Sequence, residues 1–140
     1  MTTHTPIVLI LDDDPTRHAQ FIQNNPGCDI RSAYTVNEAT ALVYDQYFDI
    51  ICFDHDLGMN AAGEYEISIP FAKTVRELID SGALLDSTLM LVHTSNPVGA
   101  QNIMSYFART LVHTFKVPWA WTRKGLFRMM MEPEPTFHNG

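Results

Sequence analysis

Three short apolar runs each break off into a cluster of polar side chains. Ile7-Val8-Leu9-Ile10-Leu11 ends in Asp12-Asp13-Asp14, and Ile50-Ile51-Cys52-Phe53 ends in Asp54-His55-Asp56-Leu57-Gly58. Leu89-Met90-Leu91-Val92 ends in His93-Thr94-Ser95-Asn96-Pro97. Unbroken apolar runs this short read as strands buried on both faces, the kind found in parallel sheets. In open α/β sheets ligands bind outside the carboxyl ends of such strands. The chain therefore delivers acids, imidazoles and hydroxyls to one edge of a sheet.

The segments between these runs read as helices. Asp14-Pro15 is a helix start, with the acid as cap and proline at the first helical position, and the helix runs to about Gln23. Asn24-Asn25-Pro26-Gly27 is a turn. Strand two spans Cys28 to Tyr34. Thr35-Val36-Asn37-Glu38 is a capping box that opens a second helix with Val36, Ala39, Leu42 and Val43 on its apolar face. A third helix starts near Pro70, shows Phe71, Val75, Leu78 and Ile79 on one face, and stops at Gly82. A fourth follows Pro97, with Ile103, Met104, Phe107, Ala108 and Leu111 at helical spacing. The segment from Leu57 to Ile69 is a long loop at the sheet edge, a place for lids and binding loops. Val112 to Val117 is a fifth strand or an extension of helix four. Trp119 and Trp121 are packing residues, Lys124 to Met131 a short last helix. This alternation predicts a doubly wound parallel sheet of about five strands with helices on both faces, a three-layer α/β/α domain over residues 1–131. Residues 132–140 are expected to be a flexible tail.

Composition narrows the function classes. The 140 residues carry a net charge of −7, which argues against binding to duplex DNA, since phosphate backbones call for basic patches. No apolar run approaches the ~20 residues of a membrane span. The start of the chain lacks the basic residues of a signal peptide, so a cytoplasmic location is expected. Cys28 and Cys52 lie in strands and read as buried thiols.

The acids predict an ion. Asp12, Asp13 and Asp54 at neighbouring strand ends would repel one another strongly without a hard divalent cation, Mg²⁺ first and Mn²⁺ second. Asp56 is either a further ligand or the group that orients His55. His55 and His93 exchange protons near neutral pH and suit an acid–base pair. Ser95, Asn96 and the backbone up to Gly99 open helix four, where free N–H groups suit phosphate oxygens and Gly99 permits close approach. His4, His18, His113 and His138 lack such company.

The acidic pair after the first strand and the aspartate after the third resemble two-component receiver domains, which have a flavodoxin-like fold. That resemblance implies Mg²⁺ on Asp12 and Asp13, a phosphoryl group on Asp54, a hydroxyl role for Thr94 or Ser95, and a lysine role for Lys116. Leu11-Asp12-Asp13, Phe53-Asp54-His55-Asp56-Leu57-Gly58 and Val92-His93-Thr94-Ser95-Asn96-Pro97-Val98-Gly99 are similar to the motifs of a narrower family, the cyclic-phosphate-processing receiver-like domains. The likeness covers about residues 7 to 112. It implies action on cyclic phosphate groups, with Asp54, His55 and His93 catalytic. The family's arginine soon after the acidic pair corresponds to Arg17, a phosphate-binding residue with Thr94, Ser95, Asn96 and Gly99.

Three functions compete. The first is a metal-dependent phosphoesterase that opens a cyclic phosphate, at an RNA end or in a cyclic nucleotide. The second is a signalling receiver phosphorylated on Asp54. The third is a binder that captures a cyclic nucleotide without cleaving it. The expected partner is the phosphate ligand, and the oligomeric state is open.

Overall fold

The structure, a computed structural model, describes residues 5–84 and 87–117. Trp119, Trp121, the expected last helix and the expected tail lie outside them. Five strands, β1 (Ile7–Leu11), β2 (Asp29–Ala33), β3 (Ile50–Phe53), β6 (Leu89–Val92) and β7 (His113–Lys116), form a parallel sheet in the order β2-β1-β3-β6-β7. The helices are α1 (Pro15–Asn24), α2 (Val36–Asp45), α3 (Ile69–Asp80) and α4 (Pro97–Ser105). A separate antiparallel hairpin, β4 (Asp56–Met59) and β5 (Tyr65–Ile67), stands between β3 and α3.

The strands are buried on both faces, as their apolar runs require. Leu9, Leu11, Ile51, Phe53, Met90 and Val92 face α2, α3 and α4, where they meet Ala39, Val43, Phe71, Val75 and Ile103. Val8, Ile10, Ile50, Cys52 and Leu91 face the other way and meet Phe21 of α1. Period-two alternation thus splits each strand between two apolar layers. The helix starts follow their cap chemistry. Asp14 accepts from the Thr16 amide, and Thr35 and Glu38 form the reciprocal capping box. Among the described helices, none is long and apolar enough to cross a membrane.

Two expectations change. The stretch expected as a loop from Leu57 to Ile69 contains all of the β4–β5 hairpin except its first residue, Asp56, and also the first residue of α3. Asn60 turns it: its Oδ1 accepts from the Ala62 and Glu64 amides, and Gly63 has a φ of +80°. Such side-chain-to-backbone bonding imitates a turn. The strands are too short, and too interrupted by a bulge, to show alternation in sequence. Helix α4 also ends at Ser105, before the end of its apolar stripe, and Leu111 is 75% exposed. Arg76 of α3 donates to the carbonyls of Tyr106 (2.8 Å) and Ala108 (3.1 Å), which satisfies them outside a helix. Val112 to Val117, which the sequence allows as strand or helix, contains strand β7.

The ring of Phe71 is fully buried beside Phe53. Phe71→Ala is expected to cost about 3–5 kcal/mol of unfolding free energy, and Thr35→Ala about 1 kcal/mol. Denaturant titration of both variants checks that ranking.

Candidate functional site

The sheet register builds the site. Leu11 pairs with Phe53, and Phe53 with Val92. The ladder continues one residue further, because the Asp54 amide donates to Leu11 (2.9 Å) and the His93 amide to Phe53 (2.8 Å). Asp12, Asp54 and His93 therefore stand side by side, one strand spacing of about 4.8 Å apart. Alternation sends them after Ile10, Cys52 and Leu91 to the α1 face of the sheet. There Arg17, on the first turns of α1, meets them.

Asp12 is fully buried and densely partnered. Its Oδ1 accepts from the Asp14 amide at 2.8 Å, and its Oδ2 lies 3.0 Å from both His93 Nε2 and Arg17 Nε. His18 Nε2 donates to the Asp12 carbonyl at 2.7 Å, and its ring packs on Tyr34. His18 therefore ties α1 to the strand end, a role its isolated place in the sequence did not signal. Asp54 Oδ1 accepts from the His55 amide at 2.8 Å, and Oδ2 lies 3.4 Å from Arg17. Asp13 is exposed at the mouth, with Arg17 at 4.0 Å.

One oxygen each from Asp12, Asp13 and Asp54 can be chosen so that all three lie within 4.8 Å of one another. At an effective dielectric near 20, each pair of charges at that distance repels by roughly 3–4 kcal/mol. Burial pushes Asp54 up to about 7, helped by the charge of Asp12 and opposed by Arg17. Asp13 is raised by burial and by Asp12. Burial also acts to raise Asp12, but the His93 hydrogen bond, the Asp14 amide and Arg17 outweigh it and hold its carboxyl below the usual range. Burial lowers His93 despite Asp12, so at neutral pH it is a neutral donor. Three hard oxygen ligands with one arginine among them fit a divalent cation. When bound, such an ion would supply charge compensation and hold waters at the mouth.

A second cluster sits beside the first. His55 Nδ1 lies 3.1 Å from Asp56 Oδ1, and Asn96 Nδ2 lies 3.5 Å from Asp56 Oδ2. The His55 ring covers Gly99, where an added Cβ would lie 2.5 Å from Cγ. Asp56 stands outside the trio whose oxygens lie within 4.8 Å of one another, and its contact with His55 has the geometry of the orienting role.

The predicted residues follow the ends of β1, β3 and β6 or open α1 and α4, at the carboxyl edge of the sheet. Gly99 makes room for an imidazole, and its amide is taken by Asn96 Oδ1 at 3.0 Å, so it does not offer that N–H to a phosphate. Thr94 is buried and accepts from the Asn96 amide at 3.1 Å, while Ser95 is exposed. Arg17 rests on acids in this state. Both imidazoles lie at the acidic edge, but His93 is 1% exposed and bound to Asp12, so His55 is the more open of the two. Lys116, the candidate for the receiver lysine, is an exposed residue at the end of β7 and makes no ion pair with Asp54 among the described residues.

This strand order, with acids at the ends of β1 and β3, defines a receiver fold. Solved structures agree at the level of fold. A response regulator receiver protein from Pseudomonas putida superposes with a TM-score of 0.62 at 18% identity, over 92% of this chain and 95% of that one. A response regulator from Burkholderia pseudomallei, described with a phosphorylated aspartic acid, calcium ion and citrate, gives 0.58 at 16% identity over 79% and 59%. The receiver domain of a Francisella response regulator gives 0.55 at 18% over 80% and 84%. Among curated proteins none is similar in sequence. Residues 7–109 match the cyclic-phosphate processing Receiver domain family, and the chain belongs to it.

Two outcomes test the electrostatics. A carboxyl raised in the folded state binds its proton more tightly there than in the unfolded chain, so it costs stability as pH rises from about 4 through 7. In chelator, Asp54→Asn is therefore expected to melt above wild type at pH 8, by roughly 3–6 °C. The gap should shrink toward pH 5 and close when Mg²⁺ is added at pH 8. By calorimetry, Asp13→Asn should weaken Mg²⁺ binding about tenfold, the effect of losing ~1.4 kcal/mol, and Asp56→Asn less than about twofold.

Proposed function

We propose that the chain is a receiver-type module that takes a phosphoryl group on Asp54, with a divalent cation on Asp12, Asp13 and Asp54. The observation that carries this is the position of Asp54. It stands at the carboxyl end of the central strand β3, where one of its oxygens can lie within 4.8 Å of an oxygen of the buried Asp12 and of the exposed Asp13, with one oxygen held by the His55 amide. In the transfer, an Asp54 oxygen attacks phosphorus in line, an O–P bond forms, and the bond from phosphorus to the donor's oxygen breaks. The donor leaves with that electron pair. When bound, a divalent cation on Asp12, Asp13 and Asp54 would supply charge compensation for the equatorial oxygens. Arg17 contributes the positive charge that Lys116 does not bring to the site. His93 holds the Asp12 carboxylate in place by its Nε2–H.

A second use of the same pocket, opening of a cyclic phosphate, is favoured by His55. Its imidazole is braced by Asp56 and Gly99 next to Asp54, a position suited to proton transfer to a departing alkoxide. The family to which the chain belongs is described by that chemistry.

Acetyl phosphate and Mg²⁺ separate the two. Whole-protein mass measurement is expected to show one added phosphoryl group on wild type and none on Asp54→Asn. Absence of the adduct, together with turnover of a 2′,3′- or 3′,5′-cyclic nucleotide, would replace the first reading by the second.

A further inference from the structure

The three acids of the trio are held to different degrees. Asp12 is fully buried and held by the Asp14 amide, His93 and Arg17, and Asp54 Oδ1 accepts from the His55 amide. Asp13 is exposed, and Arg17 approaches it only to 4.0 Å. What stands beside its carboxylate is the β4–β5 hairpin. A Cβ on Gly58 would lie 3.0 Å from Asp13 Oδ2 and 4.0 Å from Cγ. Any other residue at that position would displace one of the two by a few tenths of an ångström.

The hairpin is the side less able to give, because it is fastened elsewhere. Glu66 Oε1 accepts from the Val36 amide of α2 at 2.8 Å, and the Ser68 amide donates to the His55 carbonyl at 2.9 Å. Its turn is closed by Asn60 Oδ1, which accepts from the Ala62 and Glu64 amides at 3.0 Å. A clash at Gly58 is therefore relieved at Asp13, since an exposed side chain rotates more easily than a fastened backbone.

Ions differ in how they tolerate a displaced ligand. Mg²⁺ demands near-octahedral oxygens at about 2.0–2.1 Å, whereas Ca²⁺ accepts about 2.3–2.6 Å and irregular geometry. A few tenths of an ångström exceeds the tolerance of the first and is comparable to the spread of the second. We infer that Gly58 is a specificity-determining residue of the ion site: its bare backbone leaves Asp13 at the reach a small cation needs, and so favours Mg²⁺ over Ca²⁺. This rests on the ion reading proposed above.

Calorimetric titration of the full chain with Mg²⁺ and with Ca²⁺, without any phosphodonor, tests it. Gly58→Ala is expected to lose about tenfold in Mg²⁺ affinity and less than about twofold in Ca²⁺ affinity. Gly58 and Gly63 have φ of +73° and +80°, so alanine strains the backbone at either, but a Cβ on Gly63 meets nothing within 4 Å. Gly63→Ala should therefore bind both ions as wild type does, although it carries the same strain. Gly58→Asn adds the same Cβ in a residue that adopts positive φ more readily, and should lose Mg²⁺ affinity to a like extent. In the Asp13→Asn protein, Gly58→Ala should bring no further loss. Unchanged Mg²⁺ affinity in both Gly58 variants, an equal loss in Gly63→Ala, or a further loss on Asp13→Asn overturns the role of Gly58 and leaves the ion site standing. Equal losses of Mg²⁺ and Ca²⁺ affinity overturn the selectivity. No binding of either ion by wild type sinks the ion reading itself, and this inference with it.

Discussion

Parallel register is the constraint on which the rest depends. Because Leu11, Phe53 and Val92 form one row across the sheet, the next residues of three separate strands form the next row. That row is Asp12, Asp54 and His93. A slip of one residue in any pairing would move that strand's polar end onto the other face, away from Arg17. Register is held by burial, since each strand splits its apolar side chains between two layers. The apolar core thus sets the spacing of the acids.

Charge is balanced locally rather than globally. Arg17 reaches Asp12 and Asp54 from one side, and His93 contributes a hydrogen bond to Asp12 from the other. The compensation is incomplete, and the proton affinity of Asp54 reports it. A carboxyl raised to about 7 by burial and like charge is of a kind that clusters at functional sites. Asp12, with its net of donors, stays ionised. Two carboxylates at one edge therefore differ in protonation because of what surrounds them.

Much of this was legible in the sequence. The strand runs, the capping box at Thr35 and Glu38, and the Asp14-Pro15 start all carry local chemistry that packing did not need to override. The acidic trio was legible for the same reason, since each acid follows directly on a buried run. The β4–β5 hairpin was not. Its strands are short and bulged, and its turn depends on the side chain of Asn60 rather than on an Asn-Gly pair. Nor was the end of α4, where Arg76 from another helix takes carbonyls that a continuing helix would have bonded.

By itself the sequence determined which residue types reach the sheet edge, because apolar runs fix where strands end and what comes next. Tertiary structure decided their roles. His55 and His93 look alike in sequence, each following a strand among acids and hydroxyls. One is braced by Asp56 against Gly99 at the rim, and the other is buried against Asp12. Both are buried, and which imidazole bonds Asp12 depends on contacts between strands and helices far apart in the chain. Those contacts form only when the sheet is assembled and α4 packs on it.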